Sequence, residues 1–380
     1  MTERDEALVV EGFVAPGFEP VRDALQGALD RGDDLGAGFC AILGGEVIVD
    51  IWGGLADREG ARVWDAQTLV PIFSTTKGIA ALVIAVAIDR SGGAVSYDTP
   101  VADIWPAFGA AGKDRITIGE ALSHQAGLPG FPAAIDPELW LDPPALAEAL
   151  AALPPQWEPG TAHGYHPLTW GYIAGELARR IDGRSLGTIL REVFCAPLDI
   201  DFAIGLPDHE HGRVASIERP KALPNMGPLN AHKRTAFLTK WAAPKRGGAA
   251  WRRIEIPSAN GHGTAKSVAQ LYGLYANGGQ WEGSALIGEA TFAALTEQRT
   301  IGEDLVLPFA TAFAAGVMRN NLRLYGPGTK TLAHSGWGGS MALGDPDIGL
   351  SAAYVMNRQS HHLQGDPRAR RLVDTLYGCL

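Results

Sequence analysis

Ser74 and Lys77 stand three residues apart in the stretch Pro71-Ile72-Phe73-Ser74-Thr75-Thr76-Lys77-Gly78-Ile79. On a helix, side chains at that spacing share a face one turn apart. A serine that opens a helix also presents a first-turn N–H with no intrahelical partner, where the dipole favours developing negative charge. A lysine held in dry surroundings has its pKa pulled down and can accept the serine's proton. One turn of helix can therefore supply a nucleophile, its activator and half of an oxyanion hole. S-x-x-K is a short pattern, and most chance matches are two solvated side chains. Here it occurs once, and the residues that follow it, Ile79 to Ile88, are apolar on every side, the mark of a buried helix. An ammonium at the mouth of such a helix is costly to desolvate, which favours a chemical role.

The elements around this pair fall into three parts. Residues 20–31 read as an amphipathic helix, with Val21, Leu25 and Leu29 on one face. Phe39–Leu43 and Glu46–Trp52 alternate like two strands joined at Gly44-Gly45, a hairpin signal. The middle is rich in Pro and Gly with short helices: from Asp98-Thr99-Pro100, over Thr117–His124 with a stop at Gly127, from Asp142-Pro143-Pro144 to Pro154-Pro155, over Thr169–Ile181, over Ser185–Phe194, and over Thr264–Tyr275 with Asn277-Gly278-Gly279 behind it. Strand character returns at Phe313–Met318, Leu332–Ser335 and Leu350–Met356, and a last helix spans about Pro367–Tyr377. The expected fold is α/β in the α+β sense: an antiparallel sheet flanked by helices, with a mainly helical region inserted. The boundaries expected are 1–65 with 285–380 for the sheet part, and 66–284 for the helical part that carries Ser74, Lys77 and Tyr165.

Two more stretches could join the pair. Pro159-Gly160-Thr161-Ala162-His163-Gly164-Tyr165-His166-Pro167 presents a tyrosine on a loop before a helix. His334-Ser335-Gly336-Trp337-Gly338-Gly339-Ser340 is a glycine-rich strand edge that a ligand can approach closely. Serine, lysine, tyrosine and a glycine-rich strand in this order resemble the serine β-lactamase and penicillin-binding protein superfamily. Asp98-Thr99-Pro100-Val101, Thr117-Ile118 to Leu128, and Ser258–Thr264 resemble segments of its class C-like branch, so the likeness covers nearly the whole chain. Within that branch, Gly164-Tyr165-His166 and Trp337-Gly338-Gly339 resemble the family VIII carboxylesterases.

The resemblance implies a β-lactamase/transpeptidase-like fold with Ser74 as acyl-accepting nucleophile and Lys77 and Tyr165 sharing the general base and acid roles. The oxyanion hole would combine the Ser74 N–H with that of Trp337, if His334-Ser335-Gly336 stands for the superfamily's K-T-G. If Trp337-Gly338-Gly339 stands for it, the donor is Ser340. Neither triplet has the lysine that meets the carboxylate beside a lactam, and His334 is largely neutral at pH 7. Pro167 fills the place of the asparagine in Y-x-N and has no side-chain amide. Both departures favour a neutral ester over an anionic lactam. The expectation is a serine carboxylesterase acting on short-chain esters, with no metal or organic cofactor. The alternatives are a β-lactamase or D-amino-acid peptidase, an acyltransferase, or a ligand sensor that acylates once and stalls.

The chain has 380 residues, with 46% hydrophobic and 19% charged, as in ordinary globular proteins. A net charge of -10 argues against nucleic acid or an anionic membrane as partner; the partner that the resemblance implies is a small-molecule ester. Three scattered cysteines, Cys40, Cys195 and Cys379, form no disulfide or zinc pattern. The charged start at residues 1–6 lacks the apolar segment of a signal peptide, and no apolar run spans a bilayer, so a cytoplasmic location is expected.

Some patterns are decoys. Gly183-Arg184-Ser185-Leu186-Gly187 matches the G-x-S-x-G elbow, but a helical pattern precedes it, so Gly183 reads as a C-cap and Ser185 as the next N-cap. His209/His211 and His361-His362 read as solvated loops rather than metal ligands, and His124, at a helix end, as a group that caps the helix or satisfies a buried polar group. Trp337 is placed at the site, and Trp140 and Trp157 are expected to line an acyl pocket.

Overall fold

Gly44 and Gly45, with φ of 58° and 89°, close the first hairpin in the doubly left-handed turn that matches strand twist. A computed structural model of the chain describes residues 9–57, 59, 62–238 and 248–380; the charged start at 1–6 lies outside them. Nine strands form one antiparallel sheet: β1 (Glu11–Val14), β2 (Gly36–Leu43), β3 (Glu46–Gly54), β4 (Thr300–Glu303), β5 (Ala310–Phe313), β6 (Met318–Arg319), β7 (Leu332–Ser335), β8 (Met341–Asp345) and β9 (Leu350–Met356). Their order is β1-β3-β2-β9-β8-β7-β6-β5-β4. The long-range joint is β2 against β9, with Ala37 opposite Met356 and Leu43 opposite Leu350.

Five helices matter most for the site: α1 (Glu19–Asp30), α2 (Thr76–Arg90), α3 (Thr169–Asp182), α4 (Ala265–Ala276) and α5 (Pro367–Gly378). Strand alternation sorts the core into two layers. Phe39, Ala41, Leu343 and Tyr354 face α1 and α5, meeting Leu25, Leu29, Leu372 and Leu376. Cys40, Ala342, Ala353 and Val355 face the other way, toward α4 and, behind it, α2 and α3. Every residue of α2 from Thr76 to Ile88 is buried, as its unbroken apolar run requires. α4 lies within the range expected to be the helical insertion, yet it packs directly on β2, β8 and β9. Gly344 allows that approach, because a Cβ there would stand 2.5 Å from the Tyr272 carbonyl oxygen.

The chain has the expected β-lactamase/transpeptidase-like α/β fold. One expected strand is divided. Phe313–Met318 is two strand ends joined by a turn, in which Ala314 N–H donates to Val317 O (2.9 Å) and Gly316 takes φ 96°. The sequence reading omitted β1, β4 and β8; β8 is buried throughout and shows no alternation.

Candidate active site

Ser74 sits in the single 3₁₀ turn Phe73–Thr75 that leads into α2. Phe73 has φ 47°, a left-handed conformation that an aromatic residue adopts only under constraint. The constraint is visible. Ser340 Oγ donates to Ile72 O (2.8 Å), Tyr272 OH donates to Thr75 O (2.8 Å), and Ile72 N–H donates to Gly261 O (2.9 Å). The turn is thus held by β7–β8, α4 and a short strand at Gly261–Gly263.

Lys77 is fully buried, and its Nζ lies 3.3 Å from Ser74 Oγ, 2.9 Å from Pro167 O and 3.0 Å from Ser258 O. None of these partners is charged, so burial drives its pKa well below the ordinary 10.5. A neutral amine has two N–H groups and one lone pair. In that neutral form the two carbonyls take the N–H groups, and the lone pair is left for the Ser74 hydroxyl. Pro167, which cannot offer a side-chain amide, contributes its carbonyl instead.

The Tyr165 ring lies 4.7 Å from Lys77 Nζ, and Tyr165 and Ser74 line the same cavity. Burial lifts the Tyr165 phenol above its ordinary value of 10. The ring stacks on Phe313 (6.1 Å, 14°), and its backbone N–H donates to Asp304 Oδ1 (3.0 Å). Asp304 also accepts from Val306 N–H and Leu307 N–H (2.8 Å each) and from Thr311 Oγ1 (3.0 Å), so one buried carboxylate fixes the whole Tyr165 loop. His166 is neutral and structural: Nδ1–H donates to Gly164 O (2.6 Å), Nε2 accepts from Leu128 N–H (2.9 Å), and burial lowers its pKa to about 3. His124 Nδ1 accepts from His166 N–H (3.1 Å), so of its two expected roles it takes the second, satisfying a buried donor on the tyrosine loop.

The glycine-rich edge divides. His334, Ser335 and Trp337 face the same cavity as Ser74 and Tyr165. Gly338, Gly339 and Ser340 do not: a Cβ on Gly338 or Gly339 would meet Gln359, Arg368 or Asp366, and Ser340 lies beneath the Ser74 turn. His334 donates from Nδ1 to Ser335 O (2.7 Å), and Nε2 is buried without a partner. Burial, and then Lys77, push its pKa down to about 3.

The cavity holds about 480 Å³. Phe73, Phe237, Trp251, Leu307, Phe309 and Met318 make much of its wall, and no described lining residue carries a formal charge. Trp140 and Trp157 do not line it, contrary to expectation. Trp140 packs between Phe131 and Tyr172, while Trp157 underlies the tyrosine loop, against His166 and His232. Trp251 occupies the wall instead. Ser185 caps its helix, accepting from Thr188 N–H (3.2 Å) and donating to Glu255 Oε1 (2.7 Å), with Gly183 as the left-handed C-cap before it. Asp208–Arg213 is a 3₁₀ turn with no buried residue, and no metal-binding group of three or more acidic, His or Cys side chains occurs among the described residues.

The family model described as Beta-lactamase matches residues 21–376. The chain belongs to that family. It is 36% identical over 364 residues to the esterase/beta-lactamase LipL of Mycobacterium tuberculosis, covering 92% of this chain and 83% of the relative. Among solved structures, a penicillin-binding protein homolog from Caulobacter crescentus superposes with TM-score 0.94 at 49% identity, covering 98% of this chain and 100% of the other. A family VIII carboxylesterase superposes with TM-score 0.91 at 38% identity, with the same coverage. The protein is a serine hydrolase of this esterase/β-lactamase group. No helix among the described residues is long and apolar enough to cross a membrane.

Proposed function

We propose that the protein hydrolyses short-chain carboxylic esters through an acyl-enzyme on Ser74. The observation that carries this reading is Lys77: a buried amine with no counter-ion, 3.3 Å from Ser74 Oγ, at the edge of an uncharged cavity. In the reaction, the Ser74 proton passes to the Lys77 lone pair as Oγ attacks the ester carbonyl. The Ser74 and Trp337 N–H groups hold the developing oxyanion. Tyr165, whose phenol keeps its proton to high pH, gives that proton to the departing alcohol and takes up in its place the one Lys77 holds, so both groups return to their starting states. Water then cleaves the acyl-enzyme by the same relay in reverse. His334 offers only an uncharged acceptor where a lactam's carboxylate would need a cation, which favours esters over lactams.

The test is hydrolysis of 4-nitrophenyl butyrate by wild type, Ser74→Ala and Ser185→Ala. Loss in Ser74→Ala with activity kept in Ser185→Ala is expected. The Ser185 variant should lose only its cap, about 1 kcal/mol of stability. A folded but inactive Ser185→Ala, or an active Ser74→Ala, removes the proposal.

A further inference from the structure

The stretch 219–254 holds nine Arg and Lys residues and not one Asp or Glu, in a chain whose net charge is -10. Part of it walls the catalytic cavity. Leu223 to Gly227, Leu229, Ala236 and Phe237 line that cavity, while the residues just before them, Glu218 to Ala222, line a second cavity of about 480 Å³. The changeover falls at one peptide bond, Ala222-Leu223. A second segment makes the same passage: Arg358 to His362 line the second cavity, and Leu363 and Gln364 line the first. Two adjacent chain segments thus run from the wall of the apolar cavity into the wall of its neighbour, so the two spaces lie side by side.

The neighbour is electropositive. Its acids are already committed: Glu218 to Arg358 (2.9 Å), Asp366 to Arg368 (2.8 Å) and to Ser360 (2.6 Å), and Asp33 to Arg31 (2.9 Å). Arg219, Lys221 and Arg371 line it with no acidic partner among the described residues, and the stacked His361 and His362 complete its polar wall. Three unspent cations beside an uncharged, apolar chamber suit an elongated ligand with an apolar body and an anionic end.

We infer that this groove is an anion subsite of the catalytic cavity, and that the preferred ester carries a phosphate, sulfate or carboxylate at the far end of an apolar chain. The inference rests on the esterase reading for its substrate, but the subsite itself is a binding property. It also fits His334: an anion is unwelcome beside the reacting carbonyl and welcome at a distance from it.

The experiment is calorimetric titration of the full chain with n-octyl phosphate, n-octanol and inorganic phosphate, each below micellar concentration. Octyl phosphate should bind about tenfold more tightly than octanol, the worth of one charge-assisted contact. It should also bind more tightly than inorganic phosphate, because the chain and the anion are held together. High salt should close the gap to octanol. Lys221→Glu/Arg371→Glu should abolish the gap while leaving octanol binding and 4-nitrophenyl butyrate turnover unchanged. Equal binding of octyl phosphate and octanol, or a gap that survives charge reversal, overturns the subsite. Equal binding of octyl phosphate and inorganic phosphate overturns the spanning of the two spaces by one ligand. If wild type does not turn over the butyrate ester yet shows the charge-dependent gap, the esterase reading falls and the subsite stands.

Discussion

Asp304 is the residue whose removal most directly tests how the tyrosine loop is held. Its carboxylate is buried, and burial raises its pKa against the pull of four donors: the N–H groups of Tyr165, Val306 and Leu307 and the Thr311 hydroxyl. Asp304→Ala strands three buried N–H groups at once. Each costs about 1–3 kcal/mol if it finds no partner. Water entering the hole offsets part of that, so a loss of roughly 3–6 kcal/mol is expected, a large share of the ~5–15 kcal/mol that holds a domain folded. Asp304→Asn keeps the Oδ1 acceptor for all three N–H groups and gives up only the charge, so about 1–2 kcal/mol is expected. The assay is urea unfolding, read as a shift in midpoint at constant slope, beside kcat and KM on 4-nitrophenyl butyrate. Because Tyr165 acts in the chemical step of the proposed mechanism, kcat should fall more than KM rises, and further in Ala than in Asn. Equal stability of the two variants, or an Ala variant within about 1 kcal/mol of wild type, refutes the reasoning.

Tyr165→Phe keeps the stack on Phe313 and the bond to Asp304, so thermal unfolding should barely move while kcat drops by roughly 10²–10⁴; a variant with near-normal turnover takes Tyr165 out of the proton relay. The scheme needs neutral Lys77, which is present above its lowered folded pKa and lost as pH falls through it, so kcat/KM should rise with pH along one acid limb and show no alkaline limb below pH 10, because the Tyr165 phenol is held above its ordinary value. His334, with a pKa near 3, does not set that limb, and a pH profile of His334→Gln that shifts the limb would show otherwise. His334→Lys places a cation where an anionic lactam would put its carboxylate; acylation by benzylpenicillin, followed by mass spectrometry, should speed up by about tenfold while neutral-ester turnover falls, and an unchanged acylation rate counts against the electrostatic argument.

The parts of the fold that were legible in the sequence carry local signals. The Gly44-Gly45 hairpin, α1, α4 and α5 fall within one or two residues of expectation because a turn pair, a cap or a 3.6-residue stripe marks each. β8 was hidden because both its faces are buried, and the turn inside 313–318 because nothing but Gly316 announces it. His124 was expected to cap a helix or satisfy a buried group; the group it satisfies, the His166 N–H, lies 42 residues away, a contact that no local pattern encodes. Ser74, Lys77 and Tyr165 were singled out because motifs name them, and the structure brings their side chains together. Asp304 and Trp251 were not, since an acid among Glu303 and Leu305 and a tryptophan beside Arg252 look like surface and core. No sequence pattern separates the two glycine-rich triplets; side-chain directions put His334, Ser335 and Trp337 on the cavity wall and Gly338 to Ser340 behind it.

The pairing of β2 with β9 has a consequence for how the chain is made. Gly36 N–H donates to Asn357 Oδ1 across 321 residues of sequence, and the hydrophobic row of β2 has no partner until β9 exists. At roughly 5–20 residues per second of synthesis, the finished first hairpin waits on the order of 15–65 s with one edge open. During that interval Gly36–Leu43, which becomes an interior strand, is an exposed apolar edge of the sort that pairs with other chains. Aggregation of the nascent chain should therefore respond to a charge placed in β2 far more than the finished protein's surface would suggest. The arrival of β9, rather than the assembly of the helical middle, is the event that ends the hazard.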